Sequence, residues 1–168
     1  SDSALTIDVT TGEVRLNTVP DFEAQSQYSF AVIATDPAGN ASDAKSVTLD
    51  INNLDEVAAT ITSSNSASVS ENSGAGQVIY TATADDSADI SDGVTFSLAE
   101  GSDTALSIDS VTGAVTLADN PDYEAQDIYS FTEVATDAAG NISDQLVTLD
   151  ITNVDDTAAV ITSGETAN

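Results

Sequence analysis

Short clusters of carboxylates and amides recur along this chain: Asp21-Phe22-Glu23, Asn53-Leu54-Asp55-Glu56, Glu71, Asp85-Asp86 with Asp89, Asp122-Tyr123-Glu124, Asp137 and Asn153-Val154-Asp155-Asp156. Every donor atom these side chains bring to a cation is an oxygen. His and Cys are both absent, so zinc lacks its imidazole and thiolate ligands, and a hard ion such as calcium is the one the donor set suits. The charge balance points the same way. Asp+Glu number 29 against Lys+Arg 2, a formal net charge of -27, and self-repulsion of that size opposes a compact state unless cations offset it.

The same composition excludes several functions. Phosphate backbones and anionic membranes need clustered basic residues, and only Arg15 and Lys45 are present. No nucleophile–base pair can be built without His or Cys, and no Gly-x-Ser-x-Gly elbow occurs. Paired carboxylates could serve glycoside hydrolysis, but here they recur with the repeat described below. Ala88 and Ile90 stand where a helix-loop-helix calcium loop would need oxygen ligands. No apolar run reaches the length of a membrane-spanning helix, and Ser1 to Leu5 do not resemble an export signal. Hydrophobic residues at 40% are enough for a packed core. With no cysteine, metal is the remaining staple.

Self-similarity organises the chain. Ala4 to Asp43 aligns with Ala105 to Asp144, about 24 of 40 pairs being identical. The match resumes after a one-residue deletion, Val47 to Ser63 continuing onto Val147 to Ser163. The period is therefore about 100 residues. Ser1 corresponds to Ser102, so three pieces are expected: the C-terminal part of a first repeat over residues 1–57, a complete repeat over 58–157, and the start of a third over 158–168. An array that continues at both ends would follow. A half-sandwich over 1–57 should leave its core and edges open, or be completed by strands of another chain.

Period-2 alternation, as in Tyr129, Phe131 and Val134-Ala135 or in Val147, Leu149 and Ile151, argues strands throughout. The complete repeat reads as about seven strands, roughly 59–69, 77–84, 94–98, 105–108, 114–117, 128–136 and 146–153. Turn sequences such as Asp109-Ser110-Val111-Thr112-Gly113 and Ala139-Gly140-Asn141 separate them. The fold class is all-β: tandem immunoglobulin-like Greek-key sandwiches. Tyr28, Phe30, Tyr129 and Phe131 belong to the core.

If successive strands run antiparallel, the acidic residues sort to two poles. Glu71, Asp122, Glu124, Asn153, Asp155 and Asp156 fall at one; Asp85, Asp86, Asp89 and Asp137, with Asn141, fall at the other. In stacked repeats, Asp21, Glu23, Asn53, Asp55 and Glu56 would then face Asp85, Asp86, Asp89 and Asp137. Carboxylates packed so densely raise one another's pKa, and calcium relieves the repulsion. In Asp122-Tyr123-Glu124 an extended backbone would aim both carboxylates at one ion and turn Tyr123 toward the core. Asp43, Asp50, Asp144 and Asp150 are expected to stay solvated.

These motifs, in order, resemble the cadherin-like repeats of large bacterial surface adhesins. Ser70-Glu71-Asn72 resembles the family's strand-end glutamate. Asp21-Phe22-Glu23 and Asp122-Tyr123-Glu124 resemble its aspartate-x-glutamate, and Asp85-Asp86 its aspartate-alanine-aspartate loop. Ala34-Thr35-Asp36 and Ala135-Thr136-Asp137 resemble its alanine-x-aspartate, and the stretches beginning at Asn53 and Asn153 its linker. The linker departs from the family pattern in carrying Val57-Ala58 and Thr157-Ala158, which lowers the expected number of ions per junction below that of animal cadherins. The resemblance implies Ca2+ bound between neighbouring repeats, a stiff rod outside a bacterial cell anchored through other parts of the parent protein, and no enzymatic activity. The rod would extend adhesive domains in adhesion and biofilm formation, with any surface or glycan target gripped elsewhere. The competing reading is a module that itself binds a carbohydrate or a sister chain.

Overall fold

The computed structural model describes residues 3–163 and divides the chain into two compact units, one ending at Asp55 and the other beginning at Glu56. The described residues contain strands and turns and no helix.

The second unit is a two-sheet sandwich. One sheet orders β10 (Leu106–Ile108), β11 (Ala114–Leu117) and β7 (Gln77–Thr81); the other orders β6 (Ser66–Ser70), β13 (Ile142–Thr152), β12 (Ile128–Asp137) and β9 (Val94–Leu98). Alternation decides what each sheet buries. Along β12, Tyr129, Phe131, Glu133, Ala135 and Asp137 point inward, while from β13 the inward set is Val147, Leu149 and Ile151. Val115 and Leu117 close the core from the opposite sheet, and the Tyr80 ring meets Phe131 edge-on, centroids 5.4 Å apart and planes at 72°.

Two strands expected to be continuous are each broken. The run 59–69 divides into β5 (Thr60–Ile61) and β6, and the run 77–84 into β7 and β8 (Ala84–Asp85). The reason is a change of sheet: β5 pairs antiparallel with β8, whereas β6 lies parallel to β13, Ser66 opposite Thr148 and Ser70 opposite Thr152. The chain crosses over at Ser63–Asn65. First and last strands of the sandwich thus run side by side in one direction, and both finish at the same pole.

One glycine is fixed by packing. At Gly113 φ is +69°, and a Cβ would sit 2.3 Å from the Ala82 carbonyl oxygen. The Gly113 carbonyl in turn accepts from Ala82 N–H at 2.8 Å.

In the first unit, β1 (Leu5–Ile7) pairs with β2 (Val14–Leu16) and β3 (Gln27–Val32) with β4 (Lys45–Asp50). Tyr28 is buried, as expected, but Phe30 is only half-buried. Every residue of β4 is exposed, with Val47 and Leu49 both at 37%, whereas their counterparts Val147 and Leu149 are at 0%. Leu5, Val14 and Leu16 of the β1–β2 hairpin line a cavity with Val47 and Leu49, and the apolar face of β4 stays partly open to solvent. Leu149→Ala should therefore cost about 2–5 kcal/mol in chemical denaturation, the range for large-to-small changes in a closed core. The same change at Leu49 should cost about 1 kcal/mol or less, because the side chain already meets solvent.

Candidate metal centre

At the pole where β6 and β13 end, the backbone builds the site. Glu71 follows β6 and is almost wholly buried, at 3% exposure. Its Oε1 accepts from Val154 N–H at 2.6 Å and its Oε2 from Tyr123 N–H at 2.9 Å. One carboxylate thereby ties the segment after the last strand to the loop before β12. These two N–H groups, Val154 foremost, hold the Glu71 carboxyl below its usual 4.5 against the opposing effect of burial. Glu124 moves the other way: burial pushes it up, and the negative charges of Glu71 and Asp156 add to the shift.

Glu71, Asp122 and Glu124 each present a carboxylate oxygen within 4.8 Å of the other two. Around this group, Asn153 Nδ2 donates to Glu124 Oε1 at 3.0 Å, and Asn72 Nδ2 donates to Asp156 Oδ2 at 2.9 Å. Of the six residues expected here, three converge, Asn153 donates to one of them, and Asp156 accepts from Asn72, the residue after Glu71. Asp155 is exposed and outside the group.

The local conformation differs from the expectation. Asp122 to Gln126 is a turn, not an extended segment: Gln126 N–H donates to the Asp122 carbonyl at 2.9 Å and Ala125 N–H to Asp122 Oδ1 at 3.1 Å. Tyr123 accordingly faces solvent at 37% exposure instead of entering the core. The turn brings the carboxylates together where strand alternation had been expected to do so. Asp21 repeats it in the first unit, with Ala24 N–H on Oδ1 at 3.0 Å and Gln25 N–H on the carbonyl at 2.9 Å; Glu23, in the same turn, is exposed.

At the opposite pole of the second unit, Asp137 ends β12 at 5% exposure. Its Oδ1 accepts from Gly140 and Asn141 N–H groups at 2.7 and 2.8 Å, and its Oδ2 from Asn141 Nδ2 at 2.9 Å. Burial opposes ionisation, but these donors outweigh it and the carboxyl is held low. Asp86, buried at 9% exposure, brings a carboxylate oxygen within 4.8 Å of Asp137. Glu56 and Asp89 approach each other equally closely. Asp85, in β8, accepts from Ser87 N–H at 3.0 Å and is exposed. The first unit contains the same loop at Asp36, which accepts from Ala38 and Asn40 N–H groups at 2.9 Å each and from Asn40 Nδ2 at 2.8 Å. The Asn40 side chain foremost holds Asp36 low. Asn53 and Asp55 close the first unit, both half-buried.

The sequence reading left out Asn72 and Asn120 as participants. Asn72, at φ 58°, contacts Asp156, and Asn120 Oδ1 accepts from Gly74 N–H at 2.7 Å. An asparagine able to adopt positive φ just after a strand-end glutamate was the available signal.

Residues 65–152 match the Cadherin domain family model. The chain belongs to the cadherin-domain family. Solved structures share its fold. The protocadherin GammaB4 extracellular domain matches at TM-score 0.64 and 23% identity over 93% of this chain and 27% of that one. Mouse cadherin-23 EC22-24 matches at 0.64 and 24% over 92% and 52%, and the protocadherin gammaB7 EC3-6 cis-dimer at 0.63 and 18% over 93% and 41%. This chain spans about a quarter to a half of their lengths. Comparison with curated protein sequences found no match. The fold is that of a cadherin domain, and its acidic poles offer the oxygen donors that a divalent cation requires.

The opposite shifts of Glu71 and Glu124 predict opposite behaviour of this cadherin domain in chelator. Glu71 is lowered, so its contribution to stability is present above pH 4.5 and is lost as pH falls through its folded-state value. Glu124 is raised, so it costs stability as pH rises above 4.5, and the cost is complete above its folded-state value. Glu71→Gln should lower stability at pH 7 and flatten the acid limb of the pH–stability curve. Glu124→Gln should raise stability at pH 7. Denaturant titrations from pH 3 to 8 check both signs.

Proposed function

We propose that this chain is a calcium-binding structural extender of a bacterial cell-surface adhesin, stiffened by Ca2+ at its acidic poles and holding adhesive domains away from the cell. The observation that carries the reading is the Glu71, Asp122 and Glu124 group: three carboxylates within 4.8 Å of one another with no basic side chain among them. The two basic residues of the chain lie elsewhere, Arg15 on Glu13 at 2.8 Å and Lys45 at the start of β4. A cation from solution is the remaining counter-charge, and the donor set is one that calcium accepts.

In this proposal Glu71, Asp122 and Glu124, joined by Asn153, Asp155 and Asp156, hold calcium at one pole of the repeat spanning 58–157. Glu56, Asp85, Asp86, Asp89 and Asp137 serve the other pole, and Asp21, Glu23, Asn53 and Asp55 serve the repeat ending near residue 57. The bound ion would supply positive charge that lets these carboxylates stay ionised while packed together, so that binding energy becomes ordering energy between repeats. Neighbouring repeats are then the principal partners of the chain, and its place is outside the cell.

Small-angle scattering on an array of whole repeats tests this directly. In about millimolar calcium, the concentration range of extracellular calcium modules, the profile should be that of an extended stiff rod, and chelator should shorten and broaden it. A profile indifferent to calcium, together with retention on a glycan surface or calcium-independent self-association, would replace the extender with a ligand-binding adhesion module.

A further inference from the structure

Among the described residues, the second unit buries one acidic side chain in mid-strand, away from the turns that form its poles. Glu133 lies on the inward face of β12 at 1% exposure, between Phe131 and Ala135. Its Oε1 accepts from Ser63 Oγ at 2.9 Å, from Gln145 Nε2 at 3.0 Å and, at 3.1 Å, from the Tyr80 hydroxyl; its Oε2 is buried with no hydrogen bond. A half-satisfied carboxylate in a core is costly and is expected to be kept for something other than packing. At the matching place in the first repeat stands Val32, so the shared strand pattern does not itself require an acid.

What the donors share is the crossover of the first strand. Ser63 is its first residue. Gln145 on β13 donates to the Ser63 carbonyl at 3.1 Å as well as to Glu133, and the Tyr80 hydroxyl shares its one proton between the Ser64 carbonyl and Glu133. Burial, chiefly, pushes the Tyr80 phenol up, so it remains a donor. Further contacts converge on the same place: Ser63 Oγ accepts from Thr83 N–H at 3.2 Å, and Thr62 N–H donates to the Thr83 carbonyl at 2.8 Å. The strand before the crossover, β5, is only Thr60–Ile61 and pairs with only Ala84 and Asp85. A two-residue ribbon cannot hold itself against fraying.

We propose that Glu133 is a buried latch for the sheet-switching crossover: its carboxylate grips Ser63 so that the entering strand stays docked on both sheets and peeling from β5 stops before β6. The latch explains why an acid occupies an inward position of β12. It also links the crossover to an acidic pole, since Thr60 of β5 pairs with Asp85. Docking of β5 then does not depend on an ion.

Amide hydrogen exchange on the full chain in chelator tests the latch. In Glu133→Val, the amides of Thr62, Ser63 and Thr83 should exchange about tenfold faster, the scale of losing one buried hydrogen bond. Those of Phe131 and Val147, paired in the β12–β13 ladder, should keep their protection. Glu133→Gln retains an acceptor for Ser63 and should stay close to the parent protein. Should Glu133→Val fail to fold, Ser63→Ala removes the gripped hydroxyl alone and should loosen the same three amides. Loss of protection spread evenly over the sandwich, or no change at the crossover in either Glu133→Val or Ser63→Ala, would overturn the proposal.

Discussion

Like charges held close together without a counter-charge from the chain are the constraint on which the rest of the structure turns. A carboxylate can be buried if hydrogen-bond donors replace its water, and at the poles of this protein the donors are chiefly backbone N–H groups beside strand ends. Glu71 takes Val154 and Tyr123; Asp137 takes Gly140 and Asn141. Those donors fix where each oxygen points. They do not cancel charge between carboxylates, which is why Glu124, beside Glu71 and Asp156, is pushed up while Glu71 is held down.

The sandwich exists to keep those strand ends in register. Because β6 runs parallel to β13, the first and last strands of the unit deliver Glu71 and Val154 to the same place, and the Glu71 carboxylate joins them. That arrangement requires the first strand to leave one sheet for the other, so the crossover at Ser63–Asn65 is part of the site's architecture. The core follows from the same geometry. Tyr80, Leu117, Phe131 and Leu149 fill the space between sheets whose ends are polar.

Much of this was legible from residue order. Strand alternation identified the inward residues Tyr129, Phe131, Val147 and Leu149, and the repeat aligned the aspartate-x-glutamate and alanine-x-aspartate motifs that prove to form matching turns in each unit. Counting alternate strands sorted Glu71 with Asp122 and Glu124 correctly, because the parallel pairing of β6 with β13 keeps the parity. Three features were not legible. The breaks at Thr62–Asn65 and Ala82–Thr83 come from a change of partner sheet, and alternation on either side of such a break reads the same. Tyr123 is outside because Asp122 starts a turn, where i and i+2 no longer share a side. Glu133 sits where the alternation calls for an apolar residue, and its tolerance depends on Ser63, Tyr80 and Gln145, which sequence proximity does not bring together.

Whether the grouped carboxylates hold a divalent cation is tested most directly by the melting temperature of the chain in calcium, magnesium and chelator. At a calcium concentration about a hundred times the dissociation constant, one site should add about 2.7 kcal/mol. A rise of several degrees should follow with calcium, a smaller one with magnesium, whose octahedral shell fits flexible carboxylate groups poorly. Equal melting temperatures in calcium and chelator, with Glu124→Gln no different from the parent in either, would contradict the account.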